Sequence, residues 1–316
     1  MVSIGAFKTI NALPERPLWP LADMAGSVAY RMAGPRRDQA RRNLRRVVQW
    51  MAANGVGEER YRRAATDPRA LERLVRSAFQ NHARSYVEMA RAPRCNAAWV
   101  AERLSIETPA EVDRFLTERR ALILVGMHFG PIELPGFYAV SRIGEIVAPM
   151  EAVPNARIQR YVFASRATIG VRIVTLEDAA RELLATLRRN EPAGLVADRD
   201  MTGGGVETEL FGARARIPAG PVLLALQTGA PIYVAGVRRT GPGRYRGKIR
   251  QLIEPEGVSR RERSRAMVLE EARLFEWVVS DAPEQWLAVF YPIWPDLEAG
   301  AGAPNGAAGA TTGGVA

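Results

Sequence analysis

Two kinds of apolar spacing divide the chain. Up to about residue 108, apolar positions recur every three or four residues, the spacing of one helix face. Residues 36–51 read as a basic helix. Leu44, Val47, Val48 and Met51 form its apolar face, and Arg37, Arg41, Arg45 and Gln49 share another. Residues 67–91 read as a further helix with Leu71, Leu74, Val75, Ala78, Phe79 and His82 on one stripe, which sets His82 among packing neighbours. Ahead of both, residues 18–32 are apolar with few charges and carry Trp19 and Tyr30. That stretch suits either a helix lying in a membrane interface or a first core helix.

From about residue 109 the spacing changes. Continuous apolar runs at 121–125, 145–150, 171–174, 193–197 and 231–237 read as buried strands. Helical patterns such as 178–189 and 221–228 separate most of them. Strand and helix in alternation predict an α/β layered domain with a mostly parallel sheet. Residues 244–253 read as a strand near a sheet edge and 260–280 as a long amphipathic helix. The expected organisation is a helical, membrane-contacting region over 1–108, an α/β core over 109–296 and a disordered Ala/Gly-rich tail over 297–316.

Composition narrows the chemistry. The formal charge is +10, nearly all from arginine, since lysine occurs only at Lys8 and Lys248. Such a surface attracts polyanions: an anionic membrane, a nucleic acid, or an acidic carrier or cofactor. No zinc module, aromatic-rich sheet motif or recognition-helix signature accompanies the charge, so no nucleic-acid partner is expected. A non-catalytic basic membrane- or nucleic-acid-binding protein is the weaker alternative. One cysteine and two histidines exclude an internal disulfide and a structural zinc site, and no metal is expected. No apolar run reaches the ~18–20 residues of a membrane span, and the start lacks a secretory signal pattern. The expected place is the cytoplasmic face of the membrane.

His128 follows the 121–125 strand by a Gly126-Met127 turn, at the carboxyl end where open α/β sheets hold ligands. Gly130-Pro131 predicts the start of a helix, because proline suits a first helical turn. Glu133 then falls in its first turns, giving a histidine followed at five by an acid. A neutral imidazole backed by a carboxylate can take an alcohol's proton. Asp198, in Ala197-Asp198-Arg199-Asp200 at the end of the 193–197 strand, competes with Glu133 for that partner role. Arg199 either neutralises its flanking acids or meets a phosphate. Gly203-Gly204-Gly205 reads as a mobile loop. The segment from Arg216 to Gly220 and Pro221 leads into an apolar helix whose N-terminus is a natural anion site. Oxyanion donors are expected near the Gly130 backbone or from an arginine.

At these residues the chain resembles the bacterial lipid A biosynthesis acyltransferases, and within them most closely the phosphatidylinositol mannoside branch. The resemblance rests on His128–x4–Glu133, Ala197-Asp198-Arg199-Asp200-Met201, Phe211-Gly212, Arg216-x-Pro218-Ala219-Gly220-Pro221, 228–232, Gln285-Trp286 and Pro292-x-Trp294. It implies a glycerolipid-acyltransferase-like core with an acyl-chain tunnel and helices that touch the inner membrane. It further implies acyl-coenzyme A or acyl carrier protein as donor substrate, no further cofactor, and a glycolipid or other lipid acceptor. His128 falls on the base, Glu133 on the motif acid and Asp198 on a second acidic position. Glu151 and Arg166 fall on a charged pair beside the substrates, with Arg199, Asp200, Arg216 and Gly220 as further binding positions. The chain departs from the branch in having Glu133 where aspartate is common and Ala213 where an acid often follows Phe-Gly.

Overall fold

The computed structural model describes residues 4–152, 155–200, 203–254 and 259–298. Five helices come first: α1 (Ile4–Ala12), α2 (Glu15–Met32), α3 (Gly34–Ala53), α4 (Glu59–Arg63) and α5 (Pro68–Arg91). α5 starts where Asp67 accepts from the amides of Arg69 and Ala70, with Pro68 in the first turn. After α6 (Ala97–Arg103) comes a strand inside the stretch expected to be helical, β1 (Leu104–Glu107). Helices and strands then alternate: α7 (Ala110–Thr117), β2 (Ile123–Gly126), α8 (Leu134–Ile143), β3 (Ile146–Met150), α9 (Ala156–Ala167), β4 (Val171–Thr175), α10 (Leu176–Arg188) and β5 (Ala193–Val196). A hairpin of β6 (Val206–Leu210) and β7 (Ala213–Ile217) leads to α11 (Gly220–Thr228), β8 (Ile232–Gly241), β9 (Arg244–Gln251) and α12 (Arg260–Val279). Short 3₁₀ turns follow, ending with Pro295–Leu297; from residue 299 the expected tail lies outside the described residues.

The main sheet runs β1-β9-β8-β2-β5-β3-β4. All its pairings are parallel except β8 with β9, as expected of a mostly parallel α/β core, and the strand at 244–251 lies near the edge as expected, second to β1. The two sheet faces carry separate cores. Ile123, Val125, Ile232 and Val234 join Leu44, Val48, Val75 and Phe79 of α3 and α5, together with α12. Leu122, Leu124, Tyr233 and Val237 join Val112, Leu134 and Phe137 on the other face. Each fully buried aliphatic side chain here contributes about 1.5–3 kcal/mol. α3 and α5 therefore complete the same core as the strands, while Leu18 and Ala22 of α2 pack on Val87 in a small separate cluster.

α2 divides residues 18–32 into a buried and an exposed face. Leu18, Trp19, Ala22, Gly26 and Ser27 are buried. At Gly26 a Cβ would stand 2.5 Å from the Gln80 Cα of α5, so only glycine permits this helix crossing. Leu21, Met24, Val28 and Met32 on the other side are exposed. Trp19 and Tyr30 do not belong to that stripe: Trp19 is buried, and the Tyr30 hydroxyl donates to Glu72. No helix among the described residues is long and apolar enough to cross a membrane.

Candidate active site

Strand register brings the key pair together. β2 and β5 are parallel neighbours with Gly126 opposite Val196. Two residues further along each, His128 and Asp198 emerge side by side at the carboxyl edge. The Asp198 Oδ1 lies 2.7 Å from His128 Nδ1, and Oδ2 accepts the His128 backbone N–H at 3.0 Å and the Trp286 indole N–H at 2.7 Å. Asp198 is thus fully buried yet satisfied by three donors. The imidazole is a quarter exposed, with Nε2 turned from Asp198 and without a partner among the described residues.

The electrostatics follow from this geometry. Burial alone would lower the His128 pKa. The charge of Asp198 and its hydrogen bond outweigh burial and hold the imidazole above its usual value, Arg199 opposing and Glu151 adding slightly. Burial alone would raise the Asp198 pKa. The His128 charge and the three donors pull it below the usual carboxylate range instead.

Glu133, expected as a partner of the imidazole, is occupied elsewhere. Its two oxygens accept from Arg166 at 2.6 and 2.9 Å, a bidentate pair whose side chains are nearly buried. Arg166 also meets the Met150 sulfur. The expected pairing of Arg166 with Glu151 is therefore replaced by one with Glu133. Glu151, just past β3 on the next strand over, has no charged partner among the described residues. The expected helix start at Pro131 is also displaced. α8 begins at Leu134, with Glu133 at its cap and Pro135 in the first turn.

Residues 285–287 tie down the loop between β2 and α8. Leu287 N–H donates to the His128 carbonyl at 2.6 Å, and Gly130 N–H donates to the Gln285 carbonyl at 2.9 Å. Gly130 has φ +55°, and a Cβ there would lie 2.1 Å from the Val237 carbonyl oxygen, so the position requires glycine. The amides of His128, Phe129 and Gly130 are all engaged, so they do not supply the oxyanion donors expected near Gly130.

A buried network fixes Gln285 and Trp286. Gln285 exchanges hydrogen bonds with the Arg239 backbone at 2.8 and 3.0 Å. The Arg239 guanidinium pairs bidentately with Glu88 at 2.7 and 2.8 Å and donates to Asn81 at 2.8 Å. The Trp286 ring lies against Phe211 and Trp294, and Trp50 meets Phe211 edge-on at 5.2 Å between centroids. Sequence motifs that are weak singly thus converge on one indole. Nothing local in the sequence ties Trp286 to Asp198, which stands 88 positions earlier.

Other expected positions divide. Arg199 is at the centre, its guanidinium 3.7 Å from the Tyr291 ring centroid. Asp200 accepts from the Gly203 and Gly205 amides at 2.9 Å, and Arg216 reaches the Gly205 carbonyl at 3.3 Å. These two brace the glycine loop against the β6–β7 hairpin rather than face His128. Met201 lies outside the described residues. Gly220 opens α11 at the same sheet edge, with open space around it. His82 stacks near Tyr86 and Phe290, and burial pushes its pKa down to about 4, so it is a neutral packing residue.

Residues 1–292 match the family described as bacterial lipid A biosynthesis acyltransferase. The chain belongs to this family. It is 28% identical over 233 residues to the phosphatidylinositol mannoside acyltransferase of Mycolicibacterium smegmatis, covering 72% of this chain and 71% of that one. It is 30% identical over 235 residues to the protein of the same name in Mycobacterium tuberculosis H37Rv, covering 72% and 69%. The protein is therefore an acyltransferase, and its histidine–aspartate pair lies at the sheet edge of an acyltransferase core.

Proposed function

We propose that this acyltransferase moves a fatty acyl group from acyl-coenzyme A or acyl carrier protein to a hydroxyl of a membrane glycolipid of the phosphatidylinositol mannoside kind. The observation that carries the mechanism is His128, with Nδ1 held by Asp198 and Nε2 free. Asp198 keeps the proton on Nδ1, so Nε2 offers its lone pair to the acceptor hydroxyl. As that proton passes to Nε2, the oxygen bonds to the thioester carbonyl carbon and the carbonyl π pair moves onto oxygen. Collapse breaks the C–S bond, and the proton on Nε2 passes to the leaving thiolate. No covalent enzyme intermediate is needed. The nearest amides along the loop with no backbone acceptor among the described residues, Ile132 and Glu133, are the donors assigned to the oxyanion. The Glu133–Arg166 pair keeps that turn in place, and Glu151 positions the acceptor.

The acyl chain is assigned to a narrow cleft beside Pro131 and Glu133, with Trp19, Trp99, Leu134 and Phe137 as its apolar wall and Glu15, Glu88, Arg91 and Arg94 also in its lining. The exposed apolar stripe of α2 is assigned to the membrane surface, with the basic residues near it meeting anionic lipid. That reading makes the enzyme peripheral, at the cytoplasmic face of the inner membrane.

The test is mass spectrometry of lipids from purified protein incubated with acyl-coenzyme A or acyl carrier protein and a mixed glycolipid pool. The expected product is a glycolipid heavier by one acyl group, lost by about a thousandfold in His128→Ala. Undiminished transfer by His128→Ala sinks the mechanism.

A further inference from the structure

We propose that Arg36 and Arg199 form a phosphate-binding subsite at the mouth of the His128 centre, with the ring of Tyr291 as its platform. The proposal rests on the acyl-transfer reading for the identity of its ligand, and on geometry for its existence. The Arg199 guanidinium lies 3.7 Å from the Tyr291 centroid. That of Arg36 lies 5.6 Å from the same centroid and 5.2 Å from that of Phe290. Among the described residues neither has a carboxylate within ion-pairing distance. The other arginines around the centre are bound, Arg166 to Glu133 and Arg239 to Glu88.

A guanidinium at stacking distance from an aromatic ring, as Arg199 is, turns its flat face there, and Arg36 stands beside the same ring. The N–H edges of the stacked guanidinium stay free as a planar fork, which matches two oxygens of a phosphate. The three residues come from the first turn of α3, the segment just after β5 and the segment after Trp286. Their meeting is a product of the fold rather than of local sequence. Arg36 is exposed and Tyr291 is 37% exposed, so a ligand has access. Arg199 directly follows Asp198 and is near enough to His128 to oppose its protonation. An anion held there sits beside the reacting groups. Two phosphates have the right chemistry: the phosphodiester of an inositol-phospholipid acceptor and the phosphates of coenzyme A on the donor side.

Binding can be measured without turnover on folded His128→Ala protein, alone and combined with Arg36→Gln or Arg199→Gln. Glycerophosphoinositol and free coenzyme A are the two probes, titrated separately by calorimetry at low salt. The expected result is a loss of at least tenfold in affinity for one probe with either arginine change, and the probe affected identifies the phosphate's source. Equal affinity of each probe for all three proteins overturns the subsite, as does failure of both probes to bind the His128→Ala parent. Arg36 is exposed, so its replacement leaves the core intact. Wild-type transfer measured in parallel separates the two readings. Arginine-dependent binding without any acyl transfer keeps the subsite and removes the reaction. Transfer with arginine-independent binding does the reverse.

Discussion

Replacing Asp198 with asparagine changes little in volume and much in hydrogen bonding. Oδ2 of Asp198 serves two fixed donors, the His128 amide at 3.0 Å and the Trp286 indole at 2.7 Å, whereas Oδ1 meets only Nδ1 at 2.7 Å. In Asp198→Asn the carboxamide oxygen satisfies the two donors, and its NH₂ faces Nδ1. The imidazole must then accept at Nδ1 and carry its proton on Nε2, the wrong tautomer for a base. The expected loss in kcat/KM is about 10³ to 10⁴, or about 4–5.5 kcal/mol of barrier. The pH profile adds a sign. In the wild type the base form is lost as pH falls through a His128 pKa that Asp198 has raised. Without that carboxylate, burial and Arg199 lower the pKa against only the small contribution of Glu151, so the acid limb moves to lower pH. The assay is kcat/KM against pH with an acyl thioester and a glycolipid acceptor, with thermal melting as the control for folding. A loss below tenfold, or an acid limb that stays put, would refute the assignment. A larger loss and shift from Glu133→Gln would move the partner role back to the motif acid.

Trp286→Phe removes one hydrogen bond to a charged group, worth about 1.5–3 kcal/mol. It should lower kcat/KM about tenfold and move the acid limb upward, opposite to Asp198→Asn, because a less satisfied carboxylate holds the imidazolium more tightly; the same pH profile checks it. The double change Met24→Asp, Val28→Asp alters side chains that are 61% and 45% exposed. Cosedimentation with anionic vesicles should fall severalfold while the melting temperature holds, and unchanged sedimentation would take α2 off the membrane. Glu271 is fully buried, both its oxygens lack hydrogen-bond partners among the described residues, and burial raises its pKa well above the ordinary carboxyl range. The folded state therefore binds a proton that the unfolded state releases, and stability falls as pH rises above the unfolded pKa. Glu271→Gln should raise the melting temperature more at pH 8 than at pH 5; an equal shift at both would contradict the buried acid.

What the chain revealed before folding was mostly what short-range physics controls. The run 121–125 announced a buried strand, and the turn after it put His128 at a carboxyl edge. Asp198 was legible as a candidate for the same reason, but the choice between it and Glu133 depends on β2 and β5 being neighbours in register, which no local pattern encodes. The helix start was misplaced because two prolines compete. Pro131 follows a glycine held at positive φ by the backbone of Gln285 and Val237, so Pro135 is the one inside the first turn. β1 escaped notice because four residues directly after a helix give too little alternation. The β6–β7 hairpin alternates visibly in Val206-Glu207-Thr208-Glu209-Leu210, but the glycines ahead of it carry the stronger local signal, that of a loop. Trp286 was visible as part of a motif and not as a donor to Asp198.

The clamp of residues 285–287 on the His128 loop also sets an order in time. A chain emerging from the ribosome makes His128 and Asp198 well before Trp286. Until residue 286 is free, Asp198 lacks one of its three donors and the His128–Gly130 loop lacks its backbone partners. A nascent acyltransferase with its sheet already formed would therefore hold an unassembled centre. Competence for chemistry therefore arrives only once the segment carrying Trp286 has been made and has docked on the His128 loop.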